Sequence, residues 1–225
     1  MPYMEKTLII NAHPKIDDVA SFSISAMNEF IKNYKDLIPT DHILEQINLY
    51  QDDIPIIDST VLSAWDKKSK EEKEGKEAFF TEEEKRIMGR MDQIVKQFKS
   101  AGTYIVVMPL HNFNIPSKLK DYMDNILIAR ETFAYTKNGS VGLLKKDGRR
   151  ALLIQGSGGV YTNNDWYTEV EFSYKYLQSM FQFIGVEDFE IVRAQGTYRS
   201  ISIAERLQEA YKEVNEAAHR LADSL

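Results

Sequence analysis

The sequence has 225 residues, of which 43% are hydrophobic and 28% charged, and its formal net charge is −6. This length suits one large domain spanning residues 1–225, and the negative charge argues against general binding to nucleic acids or anionic membranes. The chain contains no cysteine, which excludes disulfides, thiolate metal sites and thiol nucleophiles and fits a reducing compartment. Residues 1–14 hold only a short apolar run, so we expect no signal peptide, no membrane span and a cytoplasmic protein.

Strand and helix patterns alternate along the chain. Short apolar or alternating runs predict five strands, at residues 7–11, 43–49, 104–108, 151–154 and 189–194. Apolar residues at helical spacing predict the intervening helices: Ile24, Met27 and Ile31; Ile87, Met91, Ile94, Val95 and Phe98; Leu119, Met123, Ile126 and Ala129; Val170, Tyr174, Leu177, Phe181 and Ile184; Leu207, Tyr211, Val214, Ala218 and Leu221. The fourth of these faces is predicted to stop at Gly185. Strands separated by helices indicate a three-layer α/β domain with a parallel sheet.

The first strand is followed by a loop that ends in Ser21 and Ser23, at the start of a predicted helix. The free N–H groups of a helix start favour an anion, and serine hydroxyls add neutral donors. A serine at this position is also the usual cap of a helix, and both interpretations remain open. The loop has neither the GK[ST] of a Walker A motif nor the glycine fingerprint of a dinucleotide site.

Residues 66–86 form the most polar stretch, with lysines and glutamates nearly balanced. We interpret most of it as a solvated helical face or insertion, and Thr81 with Glu84 predicts a capping box at the start of the next helix. Phe79 and Phe80 interrupt the charges, and an alternative interpretation is that these rings cover a pocket or pack on a partner chain.

The third predicted strand ends in the segment PLHNFNIP, residues 109–116. Turn-forming residues at the carboxyl end of a buried strand stand where open α/β sheets hold their ligands. Pro116 predicts the first turn of the following helix. Farther along, Asn138 and Gly139 predict a turn.

The fourth predicted strand ends in the segment QGSGGVY, residues 155–161. Its glycines allow backbone N–H groups to approach a flat ligand, although such a segment can also be a plain strand exit. A serine hydrolase is disfavoured because there is no GxSxG motif. The four histidines show no metal-ligand spacing, so we expect no metal site. His13, in the first loop, is interpreted as a turn or phosphate-side residue.

These loops resemble those of the FMN-dependent NADH azoreductases, a flavodoxin-like family of quinone and azo-dye reductases. The resemblance assigns FMN contacts to three sets of residues: Ser21, Phe22 and Ser23; Leu110, His111, Asn112 and Phe113; Gly156, Ser157, Gly158 and Gly159. Leu110 and His111 depart from the family pattern, and Ser157 replaces a common arginine. Downstream, the segments ETFAYT and YLQSMFQFIG also match.

The resemblance implies a flavodoxin-like fold, a five-stranded parallel sheet with helices on both faces and tightly bound, non-covalent FMN. It further implies a cytoplasmic homodimer in which Tyr135 or Phe183 walls the substrate site of the partner chain. The alternative is that Phe183 is a ring of its own core, and the residues do not decide between the two. His111 is the candidate catalytic residue, as a stacking group or a proton donor.

The function implied is hydride transfer from NADH or NADPH to the flavin, followed by two-electron reduction of an azo compound or quinone in a ping-pong cycle. Two alternatives remain open: a quinone or flavin reductase with another physiological acceptor, and a flavodoxin-type electron carrier. In each, the cofactor carries the reactivity and the protein supplies position and electrostatics.

Overall fold

The computed structural model describes residues 6–75, 77–145, 148–198, 202–223 and 225, with only the backbone of Glu72. Residues 1–5, at the start of the segment predicted to hold no signal peptide, and residue 76 in the charged stretch lie outside it. Within the described residues, no helix is long and apolar enough to cross a membrane.

Five parallel strands form the central sheet. They are β1 (Lys6–Asn11), β2 (Ile43–Asn48), β3 (Thr103–Pro109), β6 (Arg150–Gly156) and β7 (Asp188–Ala194), in the spatial order β2-β1-β3-β6-β7. All five predicted strands are thereby confirmed within one or two residues. The order reverses direction between β1 and β3, which is where open α/β sheets bind ligands outside the carboxyl ends of their strands.

Helices cover both faces of the sheet, as predicted. The helices are α1 (Phe22–Leu37), α2 (Ser59–Glu74), α3 (Glu82–Lys99), α4 (Ser117–Ile126), α5 (Trp166–Glu169), α6 (Phe172–Ile184) and α7 (Ile203–Ala222). Alternate residues of β3 point to opposite faces because the side-chain period of a strand is two. Ile105 and Val107 join a core with α1 and α7, whereas Tyr104, Val106 and Met108 join a core with α3, α4 and α6.

The two helix starts predicted from proline and from the capping box had different outcomes. The Thr81 side chain accepts a hydrogen bond from the Glu84 N–H, and the Glu84 carboxylate accepts one from the Thr81 N–H, which confirms the capping box. Pro116 is the N-cap of α4 rather than its first helical residue, with ψ at 150°. Proline suits this position too, because the nitrogen of an N-cap residue has no hydrogen-bond partner within the helix.

Two predicted helical faces were too long. Ala129 lies beyond the end of α4, because the chain leaves the helix at Leu127 to reach the next strand pair. Val170 caps the short helix α5 instead of starting α6. The end of α6 is as predicted, at Gly185, whose φ of 102° is a left-handed conformation that favours glycine.

A strand pair that the sequence analysis missed follows α4. Strands β4 (Phe133–Thr136) and β5 (Gly139–Gly142) form an antiparallel hairpin with the predicted turn at its tip. The hairpin packs on the last turn of α6, where a Cβ on Gly142 would lie 2.3 Å from the carbonyl carbon of Ile184. Only glycine therefore fits at this contact without moving backbone.

The charged stretch contains the end of α2 and the start of α3, and most of its described residues are exposed, which agrees with the solvated interpretation. Lys67 on α2 donates to both Glu84 carboxylate oxygens at 2.7 and 2.8 Å, so this ion pair ties α2 to the start of α3. Phe79 is 89% exposed. Phe80 instead lines a cavity of about 520 Å³ together with Trp65, Met91 and Val95, so one of the two rings does face a pocket.

Candidate functional site

Three loops meet at the carboxyl edge of the sheet. The first loop precedes α1, the second follows β3 and the third follows β6, and β1, β3 and β6 are neighbours in the sheet. The loops surround a cavity of about 440 Å³, whose lining comprises Ala20, Ser21, Phe22, Pro109, Leu110, Gly156, Ser157, Gly158, Thr197 and Ile203. Six of the predicted site residues thus share one cavity: Ser21, Phe22, Leu110, Gly156, Ser157 and Gly158.

The start of α1 faces this cavity. Ser21 is the N-cap of α1, yet its side chain makes no capping hydrogen bond, and its hydroxyl lies 3.2 Å from that of the buried Ser23. The first N–H groups of a helix have no acceptor within the helix, and the helix dipole adds positive potential there. Hydroxyls and N–H groups together make this corner suited to a phosphate.

The three loops are joined by short backbone contacts. The Leu110 N–H donates to the Gly156 carbonyl at 2.7 Å, which links the second loop to the third. A Cβ on Gly156 would lie 3.0 Å from the Ser23 nitrogen and 3.1 Å from the Ser23 Cβ. The end of β6 therefore approaches the start of α1 so closely that glycine is favoured at position 156.

The second loop is a tight turn with left-handed backbone. His111 and Asn114 exchange two backbone hydrogen bonds of 2.9 Å, and Asn112 and Phe113 have φ angles of 49° and 65°. The side chains of His111 and Asn112 are exposed. The Phe113 ring lies edge-on to Trp166, with ring centroids 5.4 Å apart. Among the described residues, those lining the 440 Å³ cavity do not include His111, Asn112 or Phe113.

The third loop is braced by a segment after β7. Ser157 donates its hydroxyl hydrogen to the Gly159 carbonyl at 3.0 Å, while the N–H groups of Gly196 and Tyr198 donate to the carbonyls of Gly159 and Gly158, both at 3.1 Å. Gly158 and Gly159 also line an adjoining cavity of about 480 Å³, with Tyr161, Tyr167, Tyr198 and Arg206 among its other residues.

Sequence reasoning missed this bracing segment, and it gave Tyr161 no role beyond its place at the end of the third loop. The sequence held a signal, because Gln195, Gly196 and Thr197 follow a predicted strand at the same edge as the other loops. Gln195 accepts the Tyr161 N–H at 2.8 Å. Burial raises the pKa of the Tyr161 hydroxyl, and the neighbouring Tyr167 and Glu171 act in the same direction. The hydroxyl therefore stays protonated at neutral pH.

Tyr135 and Phe183 lie at the other edge of the sheet. Phe183 is in the last turn of α6, just before β7 begins, and its ring centroid is 4.8 Å from that of Phe133 on the hairpin. These rings lie near the amino ends of the strands, whereas the cofactor loops of the same chain follow the carboxyl ends. A strand of seven residues is roughly 20 Å long, so the rings and the loops are separated by about that distance. Tyr135 is 77% exposed, whereas Phe183 is partly buried against its own core.

The remaining histidine in the loops has a local role. His13 is buried, and the Lys15 N–H lies 3.0 Å from its Nδ1, so it belongs to the turn of the first loop. Within the described part of the chain there is no group of three or more His, Asp or Glu side chains that could hold a metal ion.

Comparisons with known proteins identify the family of this chain. The sequence profile described as "Flavodoxin-like fold" matches residues 5–218. An FMN-dependent NADH:quinone oxidoreductase from Bacillus cereus is 62% identical over 220 residues, which cover 98% of this chain and 100% of that protein. This chain belongs to the same flavodoxin-like family. The family resemblance recognised in the three loops is thereby confirmed.

Other relatives and solved structures extend the similarity over the family. A protein of the same description from Lactiplantibacillus plantarum is 42% identical, with 98% of this chain and 100% of the relative covered. The crystal structure of an FMN-dependent NADH-azoreductase from Bacillus anthracis in complex with FMN is 62% identical, has a TM-score of 0.90 and covers 96% of this chain and 99% of that one. An azoreductase from B. anthracis str. Sterne is 27% identical, with a TM-score of 0.84 over the same shares.

Proposed function

We propose that this chain is an FMN-dependent oxidoreductase that uses NADH to reduce quinones and azo compounds. The observation that carries the proposal is one cavity bounded by an uncapped helix start and by a glycine loop. Relatives that are 62% identical over nearly their whole length bear the names FMN-dependent NADH:quinone oxidoreductase and FMN-dependent NADH-azoreductase.

The residues present fit FMN. A phosphate would be held by the start of α1 and the hydroxyls of Ser21 and Ser23, which have no acidic neighbour in the first turn of that helix. The polar edge of the ring would meet the backbone of the second and third loops, where Gly158 and Gly159 carry no Cβ to obstruct it. The cavity volume of about 440 Å³ lies within the usual range for small-ligand sites.

When bound, FMN supplies the redox chemistry, as acceptor of a hydride from the nicotinamide and donor of two electrons to the quinone or azo compound. The chain supplies binding, orientation and exclusion of water. Backbone N–H groups of the third loop would stabilise negative charge that develops at the pyrimidine end of the ring on reduction. His111 is our candidate to stack on the acceptor or donate a proton to it, because its exposed imidazole stands on the second loop.

We further propose a homodimer with shared active sites. Tyr135 and Phe183 cannot cover the cofactor loops of their own chain, because these rings lie near the opposite edge of the sheet. In a dimer the rings of one chain would cover the loops of its partner. The competing interpretation is that Phe183 serves only its own core, and its contact with Phe133 supports that role in part.

A two-substrate assay tests the reaction and its order. We expect anaerobic NADH to bleach the flavin before any acceptor is present, and initial-rate lines at several quinone concentrations to be parallel, because nicotinamide and acceptor use one site in turn. Converging lines would contradict the ping-pong order. Absence of NADH oxidation with small quinones would favour the electron carrier, and comparison of azo dyes, quinones and free flavins would identify the preferred acceptor.

The proposal also covers cofactor preference, location and domain organisation. NADPH is included as a second hydride donor, to be compared with NADH in the same assay. We propose a cytoplasmic location because the cysteine-free composition suits a reducing compartment. We propose that the chain acts as one flavin-binding domain, since both helical layers pack on a single sheet.

A further inference from the structure

A buried polar cluster adjoins the second and third loops. It consists of Gln155, Glu171, Ser173 and Arg193. The Glu171 carboxylate accepts two hydrogen bonds from the Arg193 guanidinium, at 2.8 and 2.7 Å, and a third from Gln155 Nε2 at 2.8 Å. Gln155 Oε1 in turn accepts from the Ser173 hydroxyl at 2.7 Å. The Glu171 side chain is only 4% accessible, so its charge depends on these partners.

The Glu171 carboxylate does not cap its own helix. Glu171 is the N-cap of α6 but makes no side-chain capping bond. The first N–H groups of α6, from Phe172 and Ser173, donate to the Phe113 carbonyl at 2.9 and 3.2 Å, and the Phe172 N–H is shared with the Val170 carbonyl at 2.8 Å. The second loop therefore supplies an acceptor to both of these N–H groups, and the start of α6 in turn holds that loop in place.

The carbonyl held in this way belongs to a strained turn. Asn112 and Phe113 both have positive φ angles. Residues other than glycine keep this backbone conformation only when their surroundings enforce it. The contact with α6 is one such constraint, and it depends on where the polar cluster places the start of that helix.

The same cluster is tied to the base of the third loop. Gln155 precedes Gly156, whose carbonyl accepts the Leu110 N–H of the second loop, and Arg193 precedes Ala194, whose carbonyl accepts the Ser157 N–H at 3.0 Å. One carboxylate is thus bonded to side chains at the carboxyl ends of β6 and β7 while its own backbone begins α6.

We infer that Glu171 is a positioning residue for the cofactor loops. Its carboxylate fixes the second and third loops relative to each other and so sets how tightly FMN is held and how the ring is oriented. This inference rests on the proposed function, because it assumes that FMN binds at these loops. It requires no contact between Glu171 and the cofactor.

The test is a fluorescence titration of FMN with apoprotein, together with visible circular dichroism of the flavin at saturation. Glu171→Gln keeps the shape but removes the charge and turns an amide donor toward Arg193 or Gln155. We expect roughly a tenfold rise in the FMN Kd and an altered dichroism spectrum. Arg193→Lys retains the charge but loses the bidentate contact with Glu171, so we expect a smaller rise in the FMN Kd, of about threefold.

A control carboxylate lies on β7, the strand that also carries Arg193. Glu190 on β7 accepts two hydrogen bonds from Arg220, at 3.1 and 2.7 Å, away from the loops. We expect Glu190→Gln to leave the FMN Kd within about twofold of the wild-type value, because exposed ion pairs contribute little and this one does not reach the site.

The outcomes separate the two hypotheses. The inference is overturned if Glu171→Gln is folded and binds FMN with wild-type Kd and spectrum, or if Glu190→Gln raises the Kd equally, since general destabilisation would then explain both. If Glu171→Gln does not fold, the FMN Kd and the dichroism spectrum of Arg193→Lys and Ser173→Ala are compared with the wild-type values instead, and wild-type values in both variants overturn the inference. Wild-type apoprotein that fails to bind FMN would refute the proposed function itself, whereas normal binding by wild type and variants refutes only the positioning role.

Discussion

The absence of a Cβ at Gly156 allows the end of β6 to pack closely against the start of α1 in the candidate site. Its Cα faces the first turn of α1, and an added methyl would meet the Ser23 nitrogen at 3.0 Å. This contact is tighter than ordinary packing, so either the strand end or the helix start would have to move. The position of the phosphate corner therefore depends on a residue that contributes no side chain.

We predict that Gly156→Ala weakens FMN binding. A shift of the α1 start by a few tenths of an ångström would misplace its N–H groups, and we expect a roughly tenfold higher Kd, equivalent to about 1.4 kcal/mol. Overpacking should also lower the free energy of unfolding by about 1–3 kcal/mol. Titration of apoprotein with FMN and urea unfolding measure the two effects.

Gly89 on α3 provides the control for this substitution. A Cβ there would have nothing within 4 Å, so Gly89→Ala should stabilise the helix by about 0.5–1 kcal/mol and leave FMN binding unchanged. Wild-type FMN affinity in Gly156→Ala would show that the contact with Ser23 does not place the helix start.

At the scale of elements, the connection between α2 and α3 depends on one carboxylate. Glu84 caps the start of α3 through Thr81 and also binds Lys67 of α2. The hydrogen bond from Lys67, followed by that from the Thr81 backbone, lowers the pKa of Glu84 from 4.5 to about 2. A depressed carboxyl pKa stabilises the folded state at pH values above 4.5, and this contribution is lost as the pH falls from 4.5 toward about 2.

We predict that Glu84→Gln lowers the melting temperature above about pH 5 and that the difference from wild type narrows as the pH falls toward about 2. The amide can still accept from Thr81, but it has no charge for Lys67. Thermal melts at intervals of pH measure the effect. Glu82→Gln serves as control, because Glu82 is 91% accessible and its contact with Lys85 lies on the surface. Parallel melting curves for Glu84→Gln and wild type over this range would contradict the assignment.

At the scale of the whole molecule, the separation of the aromatic rings from the cofactor loops makes the dimer testable. Phe183→Ala should cost about 2 kcal/mol of stability, less than the ~3–5 kcal/mol typical of a fully buried ring, because Phe183 is only partly buried. If the ring also forms a partner's substrate wall, the Michaelis constant for quinone should change as well.

Hybrid dimers give the sharper measurement. We expect Gly159→Val to prevent FMN binding and Phe183→Ala to alter acceptor selectivity. In a shared-site dimer, mixing these two chains creates one site with intact loops from the Phe183→Ala chain and an intact ring from the other. Native-like Michaelis constants should then return in a fraction of the sites. Mixtures that never regain native selectivity would rule out the shared site, and each unmixed variant is the control.

Much of the fold followed from local pattern. The apolar runs that became β1, β3 and β6 are buried on both faces, so each was recognisable without knowledge of its neighbours. The capping box at Thr81 and the glycine stop at Gly185 are equally local, because hydrogen bonds and backbone angles within a few residues decide them. The hairpin of β4 and β5 was missed, since its four-residue strands are stabilised mainly by packing on α6.

The sequence by itself determined the alternation of strands and helices, the parallel sheet and the three loops whose motifs match one family. Only the tertiary structure decided which of those residues share a cavity, because contact between Gly156 and Ser23 depends on how β6 and α1 pack. It also revealed the buried carboxylate of Glu171 with its partners on β6 and β7. Residues 155, 171 and 193 have no periodic relation in the chain, and distant polar groups that pair to avoid unsatisfied burial leave no local pattern to read.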